Sequence, residues 1–250
     1  MRSNSMIQDL HAHTYYSFCG KDAPEKLIET AIENKIEVLG ICDHNYGIGM
    51  QRESTIFPND SARLKDYQRA LDAYCNHMRL LAEKYKKHIR LVVGVEIATL
   101  KKAHLLLPET MDLSGFDYCL IEHIDRPDSI VKNLFDYIEH INCPTIGIAH
   151  TDIPTYLETT CQDPREFFSQ MVKHNIFWEM NVNYDSIHKY REHQYVKDTL
   201  QNHDLIHLLK SCNVQLSVGF DGHRIEDYAP QRVIDCCQNI EALGLKLVDV

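Results

Sequence analysis

Short apolar runs recur along the chain, and a charged or polar residue follows each of them. Continuous runs rich in Val, Ile and Leu are typical of strands that are buried in a parallel sheet. Segments with helical spacing of apolar residues lie between the runs, such as residues 23–34, where Leu27, Ile28 and Ala31 share one face. This alternation of strand and helix predicts a single α/β domain over residues 1–250.

The predicted elements cover most of the chain without a linker, an internal repeat or a low-complexity tract. The predicted strands occupy residues 6–10, 38–42, 91–95, 116–121, 145–149, 176–178 and 214–220. The predicted helices occupy residues 23–34, 61–87, 129–141, 164–174, 192–211 and 230–243. In a barrel of parallel strands the C-terminal strand ends converge on one face, where the active sites of such folds lie.

Residues that are able to bind metal ions follow the predicted strands. His11 and His13 come at the end of the first strand, and their spacing places both imidazoles on one face of it. The residues at the other strand ends are Asp43, His44, Glu96, Glu122, His123, His150, Glu179, Asp221 and His223. One such histidine is commonly an ordinary core or surface side chain, but a set at successive strand ends indicates a metal site.

Composition narrows the function further. A net charge of −10 argues against long nucleic acid as a partner, because binding to the phosphate backbone depends on clustered Lys and Arg. Nine cysteines without repeated C-x-x-C spacing fit a reduced, cytoplasmic protein. Because the first residues are polar and no apolar run is long enough to cross a bilayer, we expect no signal peptide and no membrane span.

Six short motifs, each with a residue that can bind a metal ion, are spread along the chain. They are D-L-H-A-H-T at 9–14, C-D-H at 42–44, G-V-E at 94–96, the histidine of I-E-H at 123, A-H at 149–150 and F-D-G-H at 220–223. In these motifs the chain resembles the PHP (polymerase and histidinol phosphatase) superfamily of metal-dependent phosphoesterases. The resemblance implies a distorted (β/α)7 barrel with the metal site at the C-terminal ends of the strands.

The resemblance also implies a set of two or three divalent metal ions, expected to be zinc, manganese or iron. One ion would be held by His11, His13, Glu96 and Asp221, a second by Glu96, His123 and His150, and a third by His44 and His223. At the position of a further histidine or aspartate ligand in the family, this chain has Cys19. A thiolate is a good zinc ligand, and an ordinary reactive or buried cysteine is the alternative interpretation.

Other polar residues receive smaller roles. Asp43 is predicted to orient a ligand imidazole or to handle a proton in catalysis, beside Glu96 and Asp221 in the catalytic set, and a strand-end cap is its structural alternative. Glu179 would support a ligand or contact the substrate. Arg224 and Arg126 follow ligand histidines, where a guanidinium can clamp a phosphate, and Arg126 fits a surface salt bridge equally well. Arg224 also belongs to the predicted catalytic set.

The expected activity is hydrolysis of a small phosphomonoester, similar to histidinol phosphate, by a hydroxide that bridges two ions. Two alternatives stay open: a phosphodiesterase or nuclease-like enzyme acting on nucleotides or oligonucleotide ends, and a non-catalytic metal-binding interaction domain. Substrate specificity is assigned to the loops Asn45–Asn59 and Tyr184–His193. The sequence gives no prediction of the oligomeric state.

Overall fold

A computed structural model describes residues 6–48, 61–101, 106–183 and 193–250, so most of both predicted specificity loops lies outside the described residues. Parallel strands form one sheet in chain order. The strands are β1 (Gln8–Ala12), β2 (Val38–Ile41), β3 (Arg90–Ile97), β4 (Tyr118–Glu122), β5 (Ile146–Ala149), β6 (Ile176–Asn181), β7 (Gln215–Gly219) and β8 (Lys246–Leu247). All seven predicted strands are confirmed, and the two-residue β8 was not predicted.

The sheet curls until its first and seventh strands meet. The Asp221 N–H donates to the His11 carbonyl at 2.6 Å, and the His13 N–H donates to the Gly222 carbonyl at 2.8 Å. A parallel bridge between Ala12 and Gly222 lies at the same place. The fold is therefore consistent with the predicted distorted barrel.

Helices cover the outside of the sheet. They are α1 (Pro24–Glu33), α2 (Ser61–Tyr85), α3 (Leu134–Ile138), α4 (Ile153–Thr160), α5 (Pro164–Lys173), α6 (Gln194–Gln201), α7 (His203–Cys212) and α8 (Pro230–Ala242), with a 3-10 turn at Ile225–Asp227. Among the helices that the structure describes, none is long and apolar enough to cross a bilayer.

Capping residues explain three differences from the predicted helices. The helix predicted at 192–211 is two helices, because Asn202 leaves the helical conformation and its side chain accepts from the Leu205 N–H to begin α7. The helix predicted at 129–141 begins only at Leu134, after Asn133 as its cap. The unpredicted α4 begins after Asp152, which accepts from the Thr155 N–H.

Apolar side chains fill the inside of the barrel. The inner cluster contains Leu10, Val38, Cys42, Val92, Tyr118, Leu120, Ala149, Phe177 and Val248. Tyr118 crosses the interior and donates its hydroxyl proton to the Leu10 carbonyl at 2.6 Å. A Cβ at Gly94 would lie 2.4 Å from the Tyr118 ring, so the absent side chain makes room for that ring. This apolar plug forms the floor beneath the C-terminal strand ends.

A larger apolar layer separates the sheet from the helices. Ile28 of α1, Leu71 of α2, Phe168 of α5 and the outward-facing Trp178 of β6 are fully buried in it. Each such side chain stabilises the fold by about 1.5–3 kcal/mol relative to exposure. The two apolar layers leave the polar strand-end residues at one end of the barrel, which is called the rim below.

Candidate metal centre

The alternation of side chains along each strand carries the inner face from apolar to polar at the rim. On β4, Tyr118 and Leu120 belong to the apolar plug, and Glu122 follows them on the same face. The same alternation brings polar residues to the rim from four other strands or the residues that follow them. These residues are His44, Glu96, Glu179 and Asp221.

A β-bulge precedes the two histidines of β1. Asp9 pairs with Leu39 and Ala12 pairs with Ile41, so β1 has one residue more than β2 over this stretch. Bulges of this kind redirect side chains beside functional sites. The His11 Nε2 and His13 Nε2 atoms lie 3.1 Å apart, so the two imidazoles share a face as predicted.

Glu96 lies at the centre of the rim and is fully buried. Its Oε1 atom lies 3.4 Å from His11 Nε2 and 3.2 Å from His150 Nε2. Its Oε2 atom lies 3.3 Å from His13 Nε2 and 2.8 Å from His44 Nδ1. Each carboxylate oxygen therefore faces a different pair of imidazole nitrogens, so Glu96 can contact more than one ion. The pairs cut across the predicted sets, since His11 and His13, which are predicted to share an ion, face different oxygens.

Asp221 joins the same cluster from the end of β7. Its Oδ1 atom lies 3.1 Å from His13 Nε2, 3.6 Å from His11 Nε2 and 3.7 Å from His223 Nε2. Its Oδ2 atom lies 3.5 Å from His150 Nε2. The side-chain donors of His11, His13 and Asp221 all lie within 4.8 Å of one another, close enough to hold one ion.

The backbone is left-handed at three of the rim residues: φ is 51° at His123, 52° at His150 and 57° at Asp221. His and Asp tolerate this region better than most residues, but it still costs about 1–3 kcal/mol at each position. The other non-glycine residues with positive φ in the described part of the chain follow helix ends. The strained positions at the strand ends therefore belong to the site.

Hydrogen bonds fix the orientation of His11 and His13. His11 Nδ1 donates to Glu179 Oε1 at 2.6 Å, and a Cβ at Gly219 would lie 2.2 Å from that oxygen. His13 Nδ1 donates to Ser17 Oγ at 3.1 Å, since the Ser17 hydroxyl itself donates to Asp43. The proton on each Nδ1 leaves each Nε2 as the metal-binding atom.

Asp43 accepts four hydrogen bonds from the loop after β1. The donors are the backbone N–H groups and the side-chain hydroxyls of Thr14 and Ser17, at 2.6–3.0 Å. Through Ser17 the carboxylate also orients His13. Of the predicted roles for Asp43, this geometry supports orientation of an imidazole rather than proton transfer.

Cys19 lies beside the histidines predicted for a third ion. Its thiol, His13 and His44 have donor atoms within 4.8 Å of one another. Burial raises the pKa of Cys19, but hydrogen bonds with His223 and His44 lower it to about 7. The His13 ring stacks on His44 at 4.6 Å and on His223 at 4.7 Å, so both predicted ligands of the third ion contact His13. His223 supplies no donor to the four candidate metal groups of the described residues.

The charges of the cluster suit cations. Burial raises the pKa of Glu96, but the positive charges of His44 and His11 outweigh it and hold that pKa well below its usual range. Among the described residues, Glu96 Oε1 and Oε2, His44 Nδ1 and His150 Nε2 are buried without a hydrogen-bond partner. Buried polar atoms are rarely left in this state. Imidazole and carboxylate donors fit zinc, manganese or iron.

Comparison with known proteins agrees with this geometry. A family model for the PHP domain matches residues 9–226. The chain belongs to the PHP domain family. A search of curated proteins finds no match to the sequence.

Two solved structures resemble this PHP protein over nearly all of its length. One is histidinol phosphate phosphatase from Lactococcus lactis subsp. lactis in complex with zinc, L-histidinol and phosphate, with a TM-score of 0.60, 14% identity, and coverage of 97% of this chain and 95% of that chain. The other, from Listeria monocytogenes and assigned as a histidinol phosphatase, has a TM-score of 0.50, 14% identity, and coverage of 89% and 97%. At this identity the similarity shows the fold.

The PHP site also contains two residues to which sequence reasoning gave no individual role, although Glu122 was named at a strand end and His193 at the end of a predicted specificity loop. Glu122 is buried, and its carboxylate lies within 4.8 Å of donors of His44 and Glu96. The His193 ring lies 5.6 Å from the His150 ring, and burial lowers the pKa of His193 to about 4. Alternation along β4 was a usable signal for Glu122, whereas no strand pattern points to His193.

Three predicted site residues lie further from the cluster. His123 contributes no donor to the four candidate metal groups found in the described parts of the chain, although its ring lies 5.0 Å from that of His150. Arg126 is exposed. Arg224 is partly exposed and lies 3.9 Å from Asp227 Oδ2. Their roles in binding metal or phosphate stay predictions.

Proposed function

We propose that this PHP-family protein is a metal-dependent phosphatase that hydrolyses a small phosphomonoester. The observation that carries the proposal is Glu96, whose two oxygens face different imidazole pairs and have no hydrogen-bond partner among the described residues. A buried carboxylate in this state is stabilised by bound cations. The zinc, L-histidinol and phosphate in the similar Lactococcus lactis phosphatase support the same class of reaction.

The residues divide into three proposed ligand sets. His11, His13 and Asp221 share Glu96 with the second set, in which His150 is the near imidazole and His123 the more distant one. Cys19, His44 and His223 form the third set. When bound, divalent ions in such a cluster would activate water and neutralise charge on the phosphoryl oxygens.

Residues around the ligands fix the orientation of two ligand imidazoles in the metal-free protein. Glu179 and the Asp43–Ser17 pair hold the Nδ1 protons of His11 and His13, so the lone pairs of both Nε2 atoms point to the centre. The apolar plug beneath the rim excludes water from the floor of the site. In this arrangement Arg224 and Arg126 are proposed to bind the phosphate group of the substrate, and the catalytic set is Glu96 and Asp221, with Asp43 as a positioning residue.

The proposed substrate is a small phosphate ester of an amino alcohol or a similar compound, such as histidinol phosphate. Two observations support a small substrate: the similar structure holds L-histidinol and phosphate, and the net charge of −10 is unsuited to long nucleic acid. Residues 49–59 and 184–192 of the predicted specificity loops lie outside the described residues.

A phosphatase screen on protein reconstituted with zinc, manganese or iron tests the proposal. Histidinol phosphate, sugar phosphates and nucleotide monoesters are compared with a phosphodiester, and released phosphate or alcohol is measured. We expect monoester hydrolysis that stops on chelation and returns with the metal. Less than one metal ion per chain after reconstitution, or hydrolysis that survives chelation, would contradict the proposal. Faster cleavage of the diester would favour the nuclease-like alternative.

A further inference from the structure

Glu122 is the last residue of β4, and strand alternation directs its side chain to the site. Tyr118 and Leu120 face the apolar plug, whereas the intervening Cys119 and Ile121 belong to the outer apolar layer. Glu122 continues the inner series. In the parallel register with β3, Leu120 pairs with Glu96, so Glu122 lies one inward position beyond the level of Glu96.

The neighbours of this carboxylate are metal-binding groups. Donor atoms of His44, Glu96 and Glu122 all lie within 4.8 Å of one another, and all three residues are buried. His44 Nδ1 and both Glu96 oxygens lack a hydrogen-bond partner within the described residues. Two carboxylates at this distance in a buried site repel each other, and a cation between them removes that repulsion.

The next residue in the chain does not replace Glu122 in this group. His123 has a left-handed backbone, with φ of 51°, so the strand ends at Glu122. The side chain of His123 is 24% exposed, against 10% for Glu122, and its Nε2 atom lies 3.9 Å from Glu122 Oε2. The carboxylate is thus the more buried and the better placed of the two.

We propose that Glu122 is a metal ligand that shares an ion with His44 and Glu96, in which case His44 leaves the third set and that set keeps Cys19 and His223. The proposal rests on the proposed metal-dependent function. A second carboxylate brings the group to one imidazole and two carboxylates, a donor set that zinc, manganese and iron all accept. It also supplies a second negative charge to balance the divalent ion.

Metal titration of Glu122→Gln tests this assignment. Metal-free wild-type and variant proteins, prepared with a chelator, are titrated with zinc and with manganese. Calorimetry measures the affinity, and elemental analysis measures the number of ions retained. Glutamine keeps the shape of the side chain and removes its charge. We expect one ion to bind at least about tenfold more weakly, because a direct ligand matters no less than a supporting residue.

A second measurement separates a ligand from a structural residue. Because Gln removes one of two like charges, metal-free Glu122→Gln should melt at the same temperature as metal-free wild type or higher, although its ion binds more weakly. A structural role would lower the melting temperature of the metal-free form instead. Asp125→Asn is the matched control, since Asp125 is a partly buried carboxylate on the same loop that belongs to none of the four groups in the described chain.

The outcomes distinguish this proposal from the proposed function. If wild type binds no metal, the metal-dependent function fails. If wild type binds metal and Glu122→Gln binds it equally well, the assignment of Glu122 alone is overturned. Should the Gln variant not fold, Glu122→Asp keeps the charge and moves it by one methylene. Its cobalt(II) absorption bands should then differ from those of wild type, and identical bands and affinities would overturn the assignment.

Discussion

The two sides of the rim differ in how their ligand atoms are held. On the histidine side, formed by His11, His13 and their partners Glu179, Ser17 and Asp43, each Nδ1 donates a hydrogen bond. On the carboxylate side, formed by His44, Glu96 and Glu122, His44 Nδ1 and both Glu96 oxygens lack a hydrogen-bond partner among the described residues. Hydrogen bonds within the protein orient the ligand atoms on the histidine side, whereas those on the carboxylate side lack such hydrogen bonds.

Because of this difference, metal binding on the two sides should stabilise the folded protein by different amounts. A buried polar atom without a hydrogen bond costs about 1–3 kcal/mol, and the ion pair of His44 Nδ1 with Glu96 Oε2 at 2.8 Å offsets part of that cost on the carboxylate side. An ion that binds the folded chain alone stabilises it by about 2.7 kcal/mol at a concentration 100 times its Kd. The histidine side should therefore persist on chelation, whereas most of the gained stability should come from the carboxylate side.

Glu96→Gln should have the largest effect. The substitution removes the charge that faces both imidazole pairs, so two ions should bind weakly and phosphate release should fall by more than about 100-fold. Elemental analysis and a phosphatase assay measure the two effects. The control is Glu158→Gln on the exposed face of α4, which should retain both. Near-normal activity in the Glu96 variant would place the site elsewhere.

Cys19→Ser should affect one ion. Serine cannot supply a thiolate, so the zinc ion held by Cys19 and His223 should be lost while the ions at Glu96 remain. Mild oxidation of wild type should remove the same ion, since an oxidised thiol no longer binds it. Zinc counting before and after peroxide tests both. Equal zinc content in wild type and the variant would show that Cys19 is an ordinary loop cysteine.

Sequence pattern predicted the strands and most of the rim because both follow from local periodicity. His11 and His13 are two residues apart on one strand, and Glu96 ends an apolar run, so each is readable without knowledge of the rest of the fold. Pairing between distant strands is not local. The contact of Glu179 with His11 depends on the closure of the sheet and on the missing Cβ of Gly219.

The assignment of Glu122 and His123 shows a second limit of sequence reasoning. Both residues can bind metal, and the resemblance to the PHP superfamily selects the histidine. The proposed ligand is the carboxylate, because β4 keeps its inward alternation through Glu122 and the backbone becomes left-handed at the next residue. The amino acids around His123 do not predict that its backbone is left-handed, so the local sequence could not decide between Glu122 and His123.

Glu179→Gln should weaken metal binding at the histidine side by about 10–100-fold, the range expected for a residue that supports a ligand. The amide accepts a weaker hydrogen bond from His11 Nδ1 than the carboxylate does, so the imidazole becomes a poorer ligand. Calorimetric zinc titration measures the change. If the variant lost as much metal as Glu96→Gln, then the histidine side would not be ordered independently of the carboxylate side.

Ser17→Ala should have the smallest effect on metal binding. The hydroxyl donates to Asp43 Oδ1 at 2.6 Å and accepts from His13 Nδ1 and from the His44 N–H. Its loss leaves two buried donors without that acceptor, at a cost of about 1–3 kcal/mol for each. Asp43 remains held by Thr14, so the loop should keep its course and zinc affinity should fall by less than about tenfold.

Ser129→Ala is the matched control for this prediction. Both serines are 1% exposed, and Ser129 Oγ accepts from the Val131 N–H at 3.2 Å. Ser129 has no hydrogen bond to a residue of the candidate metal groups in the described part of the chain. Both variants should melt at a lower temperature when metal is absent, because each loses a buried acceptor. Only Ser17→Ala should also bind zinc more weakly, since its acceptor orients His13. Equal zinc affinity in the two variants would mean that His13 is oriented by the ion rather than by the protein, and the contrast between the two sides of the rim would then rest on His11 alone.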